Sequence, residues 1–156
     1  MQAMDFHARH FPAGSAEERY FDFTRTFRQA FHVYRHLLEN RLRHFGTTRA
    51  KWSVLSAVVR AGEGQNQNQL ARQLGIEGPT LVRLLDDLEK AGLVMRRPNP
   101  KDRRAKLIAA TDEGCALAEI LVVETQQVRR QFIAGMNDAE IAQLTGLLDK
   151  LVQSHP

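Results

Sequence analysis

One stretch constrains this chain more than any other: "NQLARQLGIEGPTLVRLLDDLEKAGL", Asn68 to Leu93. Its first part places Leu70, Ala71 and Leu74 on one side of a short helix, with Gly75 supplying a left-handed stop. Its second part sets Pro79 at the first helical position, where a missing N–H removes no bond. Leu81, Leu85 and Leu88 then share a buried face, and Gly92 ends the helix. Two short helices joined only by "GIEG" have the shape of a helix-turn-helix.

The residues after it give that shape a direction. "RRPNPKDRRAK", Arg96 to Lys106, holds six Lys or Arg, one acid and two prolines, a net +5 against +4 for the whole chain. "LVMRRP" and "AKLIAAT" are strand-like runs on either side of the basic "NPKDRR" tip, which predicts a hairpin with a long charged loop. A helix-turn-helix followed by a basic hairpin is a winged-helix arrangement. Residues 1–110 carry 19 basic and 11 acidic side chains, whereas residues 111–156 carry 3 and 7. The positive charge therefore accompanies the helix-turn-helix, and its partner is expected to be an anion.

The flanks are helical. Residues 1–16 read as a flexible arm closed by "PAGS". From Glu17 to His44, Tyr20, Phe23, Phe27, Phe31, Tyr34, Leu38 and Leu42 recur at three- and four-residue steps. A second helix runs from Arg49 to Arg60. After Thr111, an N-cap, a helix of about 23 residues carries Leu117, Ile120, Leu121, Val128 and Phe132 on one side. The last helix opens on a capping box, Asn137 with Glu140, and is expected to bury Ile141, Leu144, Leu148 and Leu151. The fold class is thus mainly α with a small β-hairpin: a winged helix-turn-helix with six helices. Residues 49–110 are expected to form the winged helix-turn-helix lobe; residues 17–48 and 111–156 are expected to be dimerisation helices, since so small a domain has little else to cover them.

If the helix from Pro79 to Ala91 is the recognition helix, its first turns reach base edges in a major groove. Thr80 and Arg83 lie on one face there, and Arg suits bidentate contact with guanine. Asp86, Asp87 and Glu89 would repel phosphates, so the helix should enter end-on; Arg83 pairing with Asp87 is the competing reading. Arg103, Arg104 and Lys106 of the hairpin would grip phosphates or a minor groove, with Asp102 holding a neighbouring guanidinium.

Several function classes find no support. There is no phosphate-binding glycine loop, nucleophile elbow or paired carboxylates, so no enzyme and no cofactor are expected. His32 and His36 stand one turn apart, but two ligands do not make a metal site. A lone Cys115 excludes an intrachain disulfide, and its place in the first turn of a helix is one that favours a thiolate. A metal- or redox-responsive regulator and a winged-helix module for protein contacts are the readings that compete with a DNA reader. No apolar run approaches the roughly 18 residues of a membrane span, and the N-terminus lacks a signal-peptide core, so a cytoplasmic setting is expected.

"NQLARQLGIEGPTLVRLLDDLEKAGLVMRRPNPKDRRAKLIAATDEG" resembles the MarR family of winged-helix regulators, and within it the SlyA branch. The "LA..LGIE.P.LVR..D.LE..GL" helix pair, the "DRRAK" wing and the "T..G" entry to the next helix carry the match, over about residues 50–114. The resemblance implies an interlocked homodimer reading a pseudo-palindromic double-stranded DNA operator. Pro79, Thr80 and Arg83 would then be major-groove residues, Arg103 the minor-groove residue, and Arg104 the arginine tied to Asp102. It also implies a small aromatic carboxylate or phenolic effector bound between the dimerisation helices and the DNA-binding lobe. Trp52 matches a pocket tryptophan of the SlyA-like branch, though core packing explains it equally well. Arg28, His32 and Arg35 are candidate partners for a ligand carboxylate. The resemblance implies a structural Cys115, since oxidant-sensing members place their cysteine near the first helix.

Overall fold

The computed structural model describes residues 2–62, 64–99 and 102–155, with side chains of all but residues 2–5 and 102–105. In chain order the elements are α1 (Gln2–His10), α2 (Ala16–Arg43), α3 (Arg49–Ala61), β1 (Gln65–Asn66), α4 (Gln67–Leu74), α5 (Gly78–Lys90), β2 (Val94–Asn99), β3 (Asp102–Ala110), α6 (Asp112–Phe132) and α7 (Asp138–Gln153). They divide into two compact units, Met1–Leu37 and Leu38–Pro156, with the boundary inside α2.

Seven helices stand among the described residues, against the six expected. The extra one, α1, occupies the stretch read as an arm. Aromatic packing explains it: His7 lies 4.9 Å from Phe11 and 5.0 Å from Phe21, and Phe11 and Phe21 are 4.5 Å apart, ring centre to ring centre. The two contacts to Phe21 are made across the "PAGS" break and have no local periodicity to announce them. Along the same unit, Tyr20, Phe23, Phe27 and Phe31 of α2 remain exposed.

The second unit is built around one core. Val54, Leu55, Ala57 and Val58 of α3 meet Leu70 of α4, Leu81, Leu85 and Leu88 of α5, Val94 of β2, Ile108 of β3 and Ala118 of α6. Each fully buried Leu or Val contributes on the order of 1.5–3 kcal/mol, so these eleven side chains hold the helix-turn-helix and hairpin together. The helix ends follow the local chemistry. α4 starts on a capping box in which Asn66 accepts from the Gln69 amide at 2.9 Å and Gln69 from the Asn66 amide at 3.1 Å. It stops at Gly75, left-handed at φ 61°, with Gly75 N–H bonded to Arg72 O and Ile76 N–H to Ala71 O. Gly92, at φ 71°, closes α5 in the same way. α5 opens at Gly78, one residue early, so Pro79 is its second residue; the first four N–H groups of a helix have no partner in any case, and Pro79 still removes no bond.

The sheet is antiparallel in the order β1-β3-β2. β1 adds two residues that the sequence did not signal, Gln65 opposite Ile108 and Asn66 opposite Leu107. In the hairpin Val94 faces Ala110, Arg96 faces Ile108 and Pro98 faces Lys106, with an irregularity between Pro98 and Asn99. β2 pairs on one side only, and an edge strand tolerates Pro98 because no second neighbour needs its N–H. β3 begins at Asp102, so Asp102–Arg104, expected in the loop, are strand residues.

The outer helices are less covered than their apolar patterns predict. α6 buries Gly114, Ala118, Leu121, Thr125 and Val128, but Ile120 and Phe132, expected on the same side, are exposed. No described residue of α7 is buried, and Leu144 and Leu151, expected inside, are each 44% exposed. Their spacing is helical as read; what is missing in one chain is a surface to receive them.

Candidate nucleic-acid interface

α5 turns Leu81, Leu85 and Leu88 into the core, which leaves Pro79, Thr80 and Arg83 exposed near its N-terminus. The three residues expected to read bases are therefore brought onto one accessible surface. Farther along the helix the carboxylates are engaged within the protein. Asp87 takes an ion pair from Lys51 of α3 at 2.9 Å, not from Arg83. The Lys51 hydrogen bond, and then its charge, hold the Asp87 carboxyl below the usual carboxylate range. Asp86 accepts from Arg96 Nη2 of β2 at 2.6 Å, and Glu89 is paired with Arg96 Nη1. Burial works against the Arg96 charge, but Asp86 and Glu89 outweigh it and raise the guanidinium above its ordinary value.

The hairpin carries the other expected contacts. Lys106 and Arg97 are exposed on its strands. The side chains of Asp102, Arg103 and Arg104, expected to form the wing tip, lie outside the described residues.

The hairpin's far end is tied to α6 through one residue. The Thr111 hydroxyl donates to Gly92 O at 2.6 Å and accepts from the Gly114 amide at 3.0 Å, while the Thr111 amide donates to Leu93 O at 3.2 Å. The "T..G" spacing thus joins the end of α5 to the start of α6.

A cavity of about 330 Å³ lies between α3 and α6. It is lined by Trp52, Ser56, Val59 and Arg60 from α3 and by Ala118, Glu119, Val122, Thr125 and Arg129 from α6. Residues 52, 56, 59 and 60 share one helical face, as do 118, 122, 125 and 129. Trp52 also packs against the core, so both of its expected roles are compatible with its position. The volume suits a small molecule, and the wall offers an aromatic ring, apolar side chains, the Ser56 and Thr125 hydroxyls, the Glu119 carboxylate and two guanidinium groups. Arg28, His32 and Arg35 are exposed on α2, in the N-terminal unit. Nothing in the spacing of Arg60 or Arg129 marks them, because which face of α6 meets α3 is a tertiary fact. Cys115, read as structural, is exposed in the first turn of α6. Among the described residues no three His, Cys, Asp or Glu side chains converge as metal ligands, and no helix is long and apolar enough to cross a membrane.

Two helices in a tight turn with a basic antiparallel hairpin against them define a winged helix-turn-helix protein. A profile of the MarR family matches residues 45–105. The chain is similar to the reduced form of MarR from E. coli, with 30% identity, 82% of this chain and 94% of that chain covered, and a TM-score of 0.70. It is also similar to a mutant MarR from E. coli complexed with operator DNA, at 26% identity, 88% and 99% coverage and a TM-score of 0.76. CouR from Rhodococcus jostii RHA1 bound to p-coumaroyl-CoA gives 29% identity, 83% and 91% coverage and a TM-score of 0.72. The chain belongs to the MarR family.

Proposed function

We propose that this protein is a transcriptional regulator, not an enzyme, that binds a pseudo-palindromic double-stranded DNA operator as a homodimer and belongs to the SlyA-like branch of its family. The observation that carries this reading is the exposed trio Pro79, Thr80 and Arg83 at the start of α5, beside a basic hairpin. In it α5 enters the major groove and the wing, residues 96–106, the minor groove, with Arg103, Arg104 and Lys106 as its contacts and Asp102 stabilising it. The DNA-bound relative supports the partner. The dimer surface is drawn from the uncovered apolar residues of the outer helices: Tyr20, Phe27 and Phe31 on α2, and Leu144, Leu147 and Leu151 on α7.

The effector belongs to the same proposal. A small aromatic carboxylate or phenolic compound would stack on Trp52 and place its anionic group at Arg60 and Arg129, weakening DNA binding. The relative bound to p-coumaroyl-CoA, whose acyl group carries a phenol, supports an aromatic effector. The test is a mobility-shift comparison of DNA from upstream of the protein's own gene with random DNA of equal length. The upstream fragment should shift at protein concentrations that leave the random one free; equal shifts would end the claim of sequence specificity.

A further inference from the structure

We propose that Arg96 is a positioning residue for DNA reading, which fixes the base of the wing to the C-terminal half of α5. The proposal rests on the DNA-binding reading above. Asp86 and Glu89 are three residues apart and so present their carboxylates on one face of α5. Arg96 meets both: Nη2 to Asp86 at 2.6 Å and Nη1 to Glu89. Its backbone takes part as well, because the Arg96 amide donates to Glu89 Oε1 at 3.2 Å. β2 is the edge of the sheet, with β3 on one side only, so α5 supplies partners that no further strand can.

The arrangement has two consequences. It neutralises one of two carboxylates that would otherwise face phosphates, and it joins two elements that must enter different grooves. A planar guanidinium with two arms fixes an angle as well as a distance, which a single point charge cannot. Arg97, the next residue, shows the contrast: it is exposed, with its Nε directed to Met95 Sδ at 3.0 Å. Arg96 is thus spent on internal geometry, although it sits in the most basic stretch of the chain.

The experiment compares the wild-type full chain with Arg96→Gln, Arg96→Lys, the double variant Asp86→Asn/Glu89→Gln and the triple variant combining that pair with Arg96→Gln. Affinity for the upstream DNA fragment is measured at one salt concentration, and exchange of the residue 96 amide is followed by NMR without DNA. Arg96→Gln, Arg96→Lys and the acid variant should each lose affinity roughly tenfold, and the triple variant should be no worse than the double, as for groups acting as one unit. The residue 96 amide should exchange faster in each of them. Tighter DNA binding by the acid variant, with Arg96→Lys close to wild type, would make Arg96 a phosphate contact and overturn the proposal. Unchanged amide exchange would overturn it too, and that arm is readable even if the wild-type protein binds no DNA and the regulator reading fails.

Discussion

The carbonyl oxygen of Leu93 stands 2.0 Å from the point where a Cβ on Gly114 would be, so α6 can begin where it does only because residue 114 has no side chain. The obstruction is backbone and cannot rotate aside. Gly114→Ala therefore has to push α6 away from the α5–β2 junction and disturb the Thr111 hydrogen bonds around it. We expect a destabilisation of about 1–3 kcal/mol, measured by chemical denaturation, despite the better helix propensity of Ala. An unchanged or raised midpoint would mean that the junction is looser than its geometry.

Asp87 gives a pH prediction. Its folded-state pKa is depressed by Lys51, so the pair contributes stability that is present above the ordinary carboxylate range and lost as pH falls through the folded value. Asp87→Asn should accordingly be less stable than wild type near neutral pH, with the difference closing in acid below about pH 4. A difference independent of pH would remove the ion pair from the account. Being at the surface, the pair should also weaken in high salt.

How far the sequence reached depends on whether each signal was local. Thr111 and Asn137 were legible as caps because a cap needs only its own first turn. Gly75 and Gly92 were legible as stops for the same reason, and Leu81, Leu85 and Leu88 follow from spacing alone. The capping box of Asn66 and Gln69 carries an equally local signal in its own spacing. Partners distant along the chain were not legible. Asp86 and Glu89 read as phosphate-repelling because nothing in their own helix announces Arg96, and Arg60 and Arg129 line one cavity only because α3 lies on α6. The helix α1 depends on Phe11 meeting Phe21, a contact no periodicity encodes.

Arg83 is exposed, and no ion pair holds it among the described residues, as a base-reading arginine requires. Arg83→Ala should relax the preference at one base pair per half-site, at about 1–3 kcal/mol. Competition binding with operators varied at single positions reads this directly. Uniform weakening across all sequences would make Arg83 a backbone contact instead.

The cavity can be tested optically, since Trp52 is the only tryptophan and lies on its wall. Titration with an aromatic carboxylate such as benzoate should change its fluorescence, and Arg60→Gln or Arg129→Gln should weaken binding roughly tenfold, as expected when a charge-assisted hydrogen bond is lost. A response indifferent to both arginines would place the anion elsewhere.

The most direct test of the central claim is the salt dependence of binding to the upstream DNA, for the wild type and for Arg103→Ala. A winged-helix dimer gripping several phosphates should lose affinity steeply as salt rises, with log K falling linearly in log salt. Arg103→Ala should bind much more weakly at every salt concentration, with the dimer and its melting temperature unchanged. A flat salt response in the wild type, or a substitution that costs dimer stability as much as DNA affinity, would contradict the account.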